Sequence, residues 1–151
     1  RFNRWVAAIS MWKENALTGT GPATFYHEYK PYTVSTFRTW VSENPERSTV
    51  HNYFLLLPVE QGIPGLVFFL LLTGVMLYYA EAGWHKFREP LWKYTSIAIG
   101  SITVMILIVN FFSDLIETDK VGSLFFISAA ILGGSWLANR SERKARSGER
   151  G

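Results

Sequence analysis

The chain has 151 residues, enough for one domain, with 15 Lys and Arg against 12 Asp and Glu and a formal net charge of +3. Cysteine is absent, which excludes a disulfide framework and thiolate metal sites. Aromatic residues reach 16%, with six Trp and seven Tyr, the amphipathic rings favoured at membrane interfaces. No charged, then apolar, leader is readable at the start. Arg1-Phe2-Asn3-Arg4 begins in mid-pattern, as the C-terminal part of something longer would.

Trp5, Ala8, Ile9 and Trp12 recur at helical spacing and predict a short amphipathic helix over Arg4 to Asn15. Leu17-Thr18-Gly19-Thr20-Gly21-Pro22 ends it with turn chemistry. A phosphate-cradling loop is the competing reading there, but no Gly-Lys-Ser/Thr follows and no strand precedes. From Ala23 to Val50 the chain is polar and aromatic, with Phe25, Tyr26, His27, Tyr29, Tyr32, Phe37 and Trp40 interrupted by Pro31 and Pro45. Such a segment either stacks sugar rings or packs over helix ends.

His51 to Gln61 predicts a helix that stops at Gly62, with Pro58 as a kink or bend. Three apolar runs follow, at about 63–80, 94–112 and 121–138. Each is close to the length needed to cross a hydrocarbon core of roughly 30 Å at about 1.5 Å per residue. Gly133-Gly134 is read as a close-packing face in the third. The expected architecture is therefore an all-α membrane protein with an outer-face loop and three transmembrane helices. Its parts are a 1–62 loop region, the three spans within 63–138 and a basic tail at 139–151.

Lys and Arg counts orient the spans. Lys86, Arg88 and Lys93 occupy one loop, and Arg140, Arg143, Lys144, Arg146 and Arg150 the tail. The opposite loop holds only Lys120 against Asp114, Glu117 and Asp119. The basic side is expected to be cytoplasmic, which puts His51 on the outer face, the periplasm in a bacterial host. A basic run after a span is read as a topology anchor touching anionic membrane lipid, not as a nucleic-acid site.

Among residues able to carry chemistry, His51 beside Asn52 stands at the edge of a span. It is either a general base for a hydroxyl or a hydrogen-bonded, inert helix cap, and residue chemistry alone favours the cap. Three scattered histidines lack metal-ligand spacing, so no metal site is expected. Glu28, Glu43, Glu46 and Glu60 are outer-face carboxylates, and no spacing singles out a hydrolytic pair. Arg1, Arg4, Arg38 and Arg47 are candidate phosphate ligands, with interfacial charge the better reading of Arg38 and Arg47.

His51-Asn52, nine residues, then Gly62-Ile63-Pro64-Gly65 resembles the His-Asn-x9-Gly-x-x-Gly pattern of the O-antigen ligase and polymerase family. Arg1-x-x-x-Trp5, then Leu17-Thr18-Gly19-Thr20-Gly21 and Phe25, is similar to that family's upstream motif. Asn15-Ala16 departs from it where a proline is usual. Glu60 stands at the family's acidic position two residues before the first glycine. The similarity covers about Arg1 to Leu72 and reverses the reading of His51.

The resemblance implies the C-terminal fragment of a multi-span helical glycosyltransferase of the bacterial inner membrane, with a cytoplasmic C-terminus. The implied activity moves a glycan from undecaprenyl diphosphate to an acceptor hydroxyl, a lipid A-core sugar or similar, at the periplasmic face. The same family also contains polymerases and protein glycosyltransferases. His51 is implied as base and Arg1 as the group that stabilises the departing diphosphate. Arg4, Asn52, Glu60, Arg38 and Arg47 are candidate substrate contacts, Gly19, Gly21, Gly62 and Gly65 are the motif glycines, and no metal or cofactor is implied. From another class, the competing expectation is a non-enzymatic membrane subunit or transporter fragment whose outer loop binds a partner.

Overall fold

A computed structural model describes residues 2–32 and 49–148 of the chain. Arg1, Arg38 and Arg47, together with Phe37, Trp40 and Pro45, lie outside the described residues. Among those described, every regular element is helical. In chain order they are α1 (Phe2–Glu14), α2 (Phe25–Glu28), a 3₁₀ turn (Lys30–Tyr32), α3 (Tyr53–Lys86), α4 (Pro90–Phe112), a second 3₁₀ turn (Leu115–Glu117) and α5 (Asp119–Gly148).

Three of these, Tyr53–Lys86, Pro90–Phe112 and Asp119–Ser141, are long and apolar enough to cross a membrane. They run beyond the charge-free stretches. α3 continues through Glu81 and Lys86, and α5 continues into the basic segment, because Ala, Glu, Lys and Arg propagate a helix as readily outside an apolar core as within it.

Two apolar clusters hold the chain together. One buries Ala7, Ala8 and Met11 of α1 against Phe25, Tyr29, Val50, Leu56 and Val59. The Arg4, Ala7, Ala8, Met11 spacing is one helical stripe, and it is the face that α1 turns to the start of α3. The second joins the spans through Met76, Ala80, Ile99, Ile106, Ile116, Phe125 and Leu132. Their outer faces carry exposed Phe68, Leu71, Met105, Phe126 and Ile127, a pattern suited to lipid.

Small residues let α3 and α4 approach closely. A Cβ at Gly83 would stand 2.5 Å from Ser96 Oγ, and one at Gly100 would stand 3.2 Å from the Ala80 Cβ. Gly133 and Gly134 differ from expectation, since a Cβ at either meets nothing within 4 Å. Close packing of the spans falls on α3 and α4 instead.

The helix stop expected at Gly62 is a break there, at the one residue inside α3 with non-helical dihedrals (φ 69°, ψ −173°), after which the helix resumes; Pro58 lies inside the helix before it. Pro64 follows within the first turn of the resumed helix, where its missing N–H costs nothing.

Candidate active site

The break at Gly62 frees backbone groups, and the glycine loop after α1 satisfies them. Thr20 N donates to Val59 O at 2.8 Å and Gly21 N to Glu60 O at 2.9 Å, while Ile63 N donates to Ala16 O at 2.9 Å. This contact demands glycine on both sides. A Cβ at Gly19 would lie 2.3 Å from Glu60 O, and one at Gly62 would lie 2.2 Å from Leu17 O. Both have positive φ, as does Gly21.

Glu60, 6% exposed, turns its carboxylate onto the same loop. Its oxygens accept from Ala23 N at 2.9 Å and Phe25 N at 3.1 Å, so it caps the start of α2. Gly65 sits lower on α3 with Gln61 folded over it.

His51 is set by what surrounds its backbone. Arg4, 8% exposed, donates from Nη1 to Thr49 O at 3.2 Å, and Trp5 Nε1 donates to Val50 O at 3.1 Å. α1 thereby grips the two residues before the histidine. On the other side Asn52, buried, accepts from Leu55 N at 3.1 Å and caps α3. Between these anchors His51 takes a left-handed conformation at φ 54°, which strains a non-glycine residue and needs surrounding structure to hold it.

The turn between α4 and α5 comes to the same end of the bundle. Tyr53 N donates to Ser113 O at 3.1 Å, tying the start of α3 to the end of α4. Buried Asn110 shapes that turn, donating to Ile106 O at 2.8 Å and accepting from Ile116 N at 3.1 Å. Asp114 is thus brought to the histidine. Its Oδ1 lies 3.8 Å from His51 Nδ1, and its Oδ2 accepts from Thr49 Oγ1. At 3.8 Å the pair is an ion pair when His51 is protonated, longer than a hydrogen bond. The imidazole is about one-third exposed and the carboxylate 17%.

Glu117 stands in the same turn. Partial desolvation of its carboxyl, on a residue whose surface is otherwise exposed, pushes it up to about 7, and the negative charges of Glu60 and Asp114 add to the shift. Among the described residues, no group of His, Asp and Glu is arranged to hold a metal ion.

The structure therefore brings His51, Asn52, Arg4, Glu60 and the glycines Gly19, Gly21 and Gly62 into one interlocked region. Arg4, Asn52 and Glu60 each meet backbone groups there. Asp114 and Thr49 are the additions that sequence reasoning missed. Counting three alternating spans does put the Ser113-Asp114 turn at the same end as His51, and that was the usable signal.

Residues 1–70 match the family model described as O-Antigen ligase. This is the family that the His51 to Gly65 spacing resembles. The matched residues run from α1 through the glycine loop and His51 into α3, past the break at Gly62. The O-antigen ligase match supports a ligase- or polymerase-type glycosyltransferase role, in a membrane, on glycan and lipid substrates. No curated protein and no solved structure matches the chain.

Proposed function

We propose that this protein transfers a glycan from undecaprenyl diphosphate to an acceptor hydroxyl, a lipid A-core sugar or a similar group, at the periplasmic face. The observation that carries the reading is the His51–Asp114 pair at the membrane end of the O-antigen ligase-like region. With Nδ1 turned to the carboxylate, Nε2 is the nitrogen that meets the acceptor. His51 takes the hydroxyl proton, the oxygen attacks the anomeric carbon, and the bond from that carbon to the diphosphate oxygen breaks. The Asp114 carboxylate stabilises the imidazolium that forms, by charge across 3.8 Å. Undecaprenyl diphosphate leaves with two phosphates' charge, which arginine stabilises; Arg1 is the matched position and Arg4 stands three residues later in the sequence.

Arg4, Asn52 and Glu60 act in this scheme by holding the backbone around His51 and the glycine loop, with Arg38 and Arg47 as charge along the outer loop. In this scheme the base stands just before the first span, at the membrane-water boundary that a lipid-linked diphosphate occupies. The test is complementation with His51→Ala in the intact gene, in cells lacking their own copy. Loss of surface-glycan attachment at normal protein level is expected. Retained attachment overturns the base assignment, and attachment of a single repeat without its ladder moves the reaction to a polymerase.

A further inference from the structure

A groove with a volume of about 910 Å³ runs between α3 and α5, at the end of the bundle away from His51. Leu72, Val75, Tyr79, Leu132, Gly133 and Trp136 form its apolar walls, and Arg140 stands at its mouth. Trp136 is pinned there, donating from Nε1 to Tyr79 O at 3.2 Å, and Lys86 Nζ lies 5.5 Å from the centre of its ring. Arg140 on the lining and Lys86 over the Trp136 ring put two cations around one end of a largely apolar channel, whose lining includes Asn139 and no acidic residue.

We infer that this groove holds one anionic phospholipid, its acyl chain along α3 and α5 and its phosphate between Arg140 and Lys86. Length favours this occupant over another helix. The lining on α5 runs from Ala129 to Arg140, about 16 Å at the helical rise, which is roughly half of a ~30 Å hydrocarbon core. One leaflet's acyl chain fits that depth, whereas a partner helix would lie along the whole span. Room comes from glycine, since a Cβ at Gly133 or Gly134 meets nothing within 4 Å. Charge separates this groove from the one between α3 and α4. That second groove, about 580 Å³, has Glu81 on its lining and Lys93 over its Trp84, charges that offset each other.

The experiment reconstitutes the protein in vesicles of equal phosphatidylglycerol and phosphatidylcholine and identifies retained lipid by native mass spectrometry. One phosphatidylglycerol per chain is expected, in preference to phosphatidylcholine. Arg140→Gln, at an exposed side chain, lowers that preference about fivefold, the ratio one basic contact with an anionic headgroup is worth. Gly133→Leu fills the groove and lowers retention of both lipids. Equal retention of the two lipids by the unaltered chain, or an unchanged preference in Arg140→Gln, overturns the inference. So does a Gly133→Cys chain that crosslinks to a second copy as lipid is lost; the natural sequence has no cysteine to confuse that readout.

Discussion

Gly19 and Gly62 lie backbone against backbone, such that a Cβ on Gly62 would come 3.0 Å from Gly19 N and 2.2 Å from Leu17 O. The two glycines come from motifs far apart in the chain, and each makes room for the other's strand of backbone. The contact closes the break in α3 by supplying hydrogen bonds that the helix itself gives up there. It also fixes the distance between α1, which grips Thr49 and Val50, and the start of α3, which His51 and Asn52 immediately precede.

Gly62→Ala and Gly19→Ala are each expected to destabilise the fold by about 2 kcal/mol or more. A left-handed conformation alone costs an L-residue about 1–2 kcal/mol, and the clash with a backbone carbonyl adds to it. Gly133→Ala, in open space on α5, is expected to be neutral or to stabilise by up to about 1 kcal/mol. Thermal unfolding followed by circular dichroism in detergent separates the three. A Gly62→Ala chain that melts with the wild type would show that the interlock does not bear on stability.

The His51–Asp114 pair predicts non-additive kinetics. His51→Ala is expected to lower glycan transfer by roughly 10²–10⁴-fold, the usual contribution of a positioned base. Asp114→Asn keeps the shape of the turn and removes the charge, so a loss of about tenfold or more is expected. Asp114 acts through His51 in this scheme, so the double variant should transfer no more slowly than His51→Ala alone. Additive losses in a transfer assay with matched protein levels would place Asp114 outside the histidine's work.

Glu60 separates capping from substrate contact. Glu60→Ala leaves buried Phe25 N and part-buried Ala23 N without their partner, at a cost of about 1–3 kcal/mol. Glu60→Gln keeps one acceptor oxygen and is expected to lose less. The measurement is the melting temperature alongside KM for the lipid-linked donor. A raised KM with unchanged melting temperature would make Glu60 a donor contact instead of a cap.

The spans were legible because charge-free apolar runs of that length have few other uses, and Gly62 marks a helix stop by local chemistry alone. The ends of the helices were not, since Glu81, Lys86 and the Arg-rich segment after Asn139 continue a helix once it has been nucleated. His51 was found through spacing, but its carboxylate partner was not. Asp114 is in contact only because Asn110 folds the turn after α4 and Ser113 O meets Tyr53 N. Nothing local to Asp114 announces those tertiary contacts, and a count of charges used it only for orientation. The glycines were legible as turn formers, whereas their mutual contact depends on two distant segments meeting.

Glu117 gives the turn a dependence on pH. Its carboxyl is raised from 4.5 to about 7, by partial desolvation first and then by the charges of Glu60 and Asp114. A carboxyl whose folded pKa is raised leaves stability untouched below about 4.5, where both states are protonated. Between about 4.5 and about 7 the unfolded chain ionises and the folded one resists, so stability falls as pH rises through that window. The penalty is complete above it. Glu117→Gln is therefore expected to raise the melting temperature at pH 8 and leave it nearly unchanged at pH 4. It should also flatten the decline between them. Melting curves of the two chains across that range make the comparison, and a Glu117→Gln chain with an undiminished decline would assign it to another group. Because Asp114 contributes to the shift, Asp114→Asn should move the Glu117 transition to lower pH. That links the acidity of the turn to the same carboxylate that faces His51.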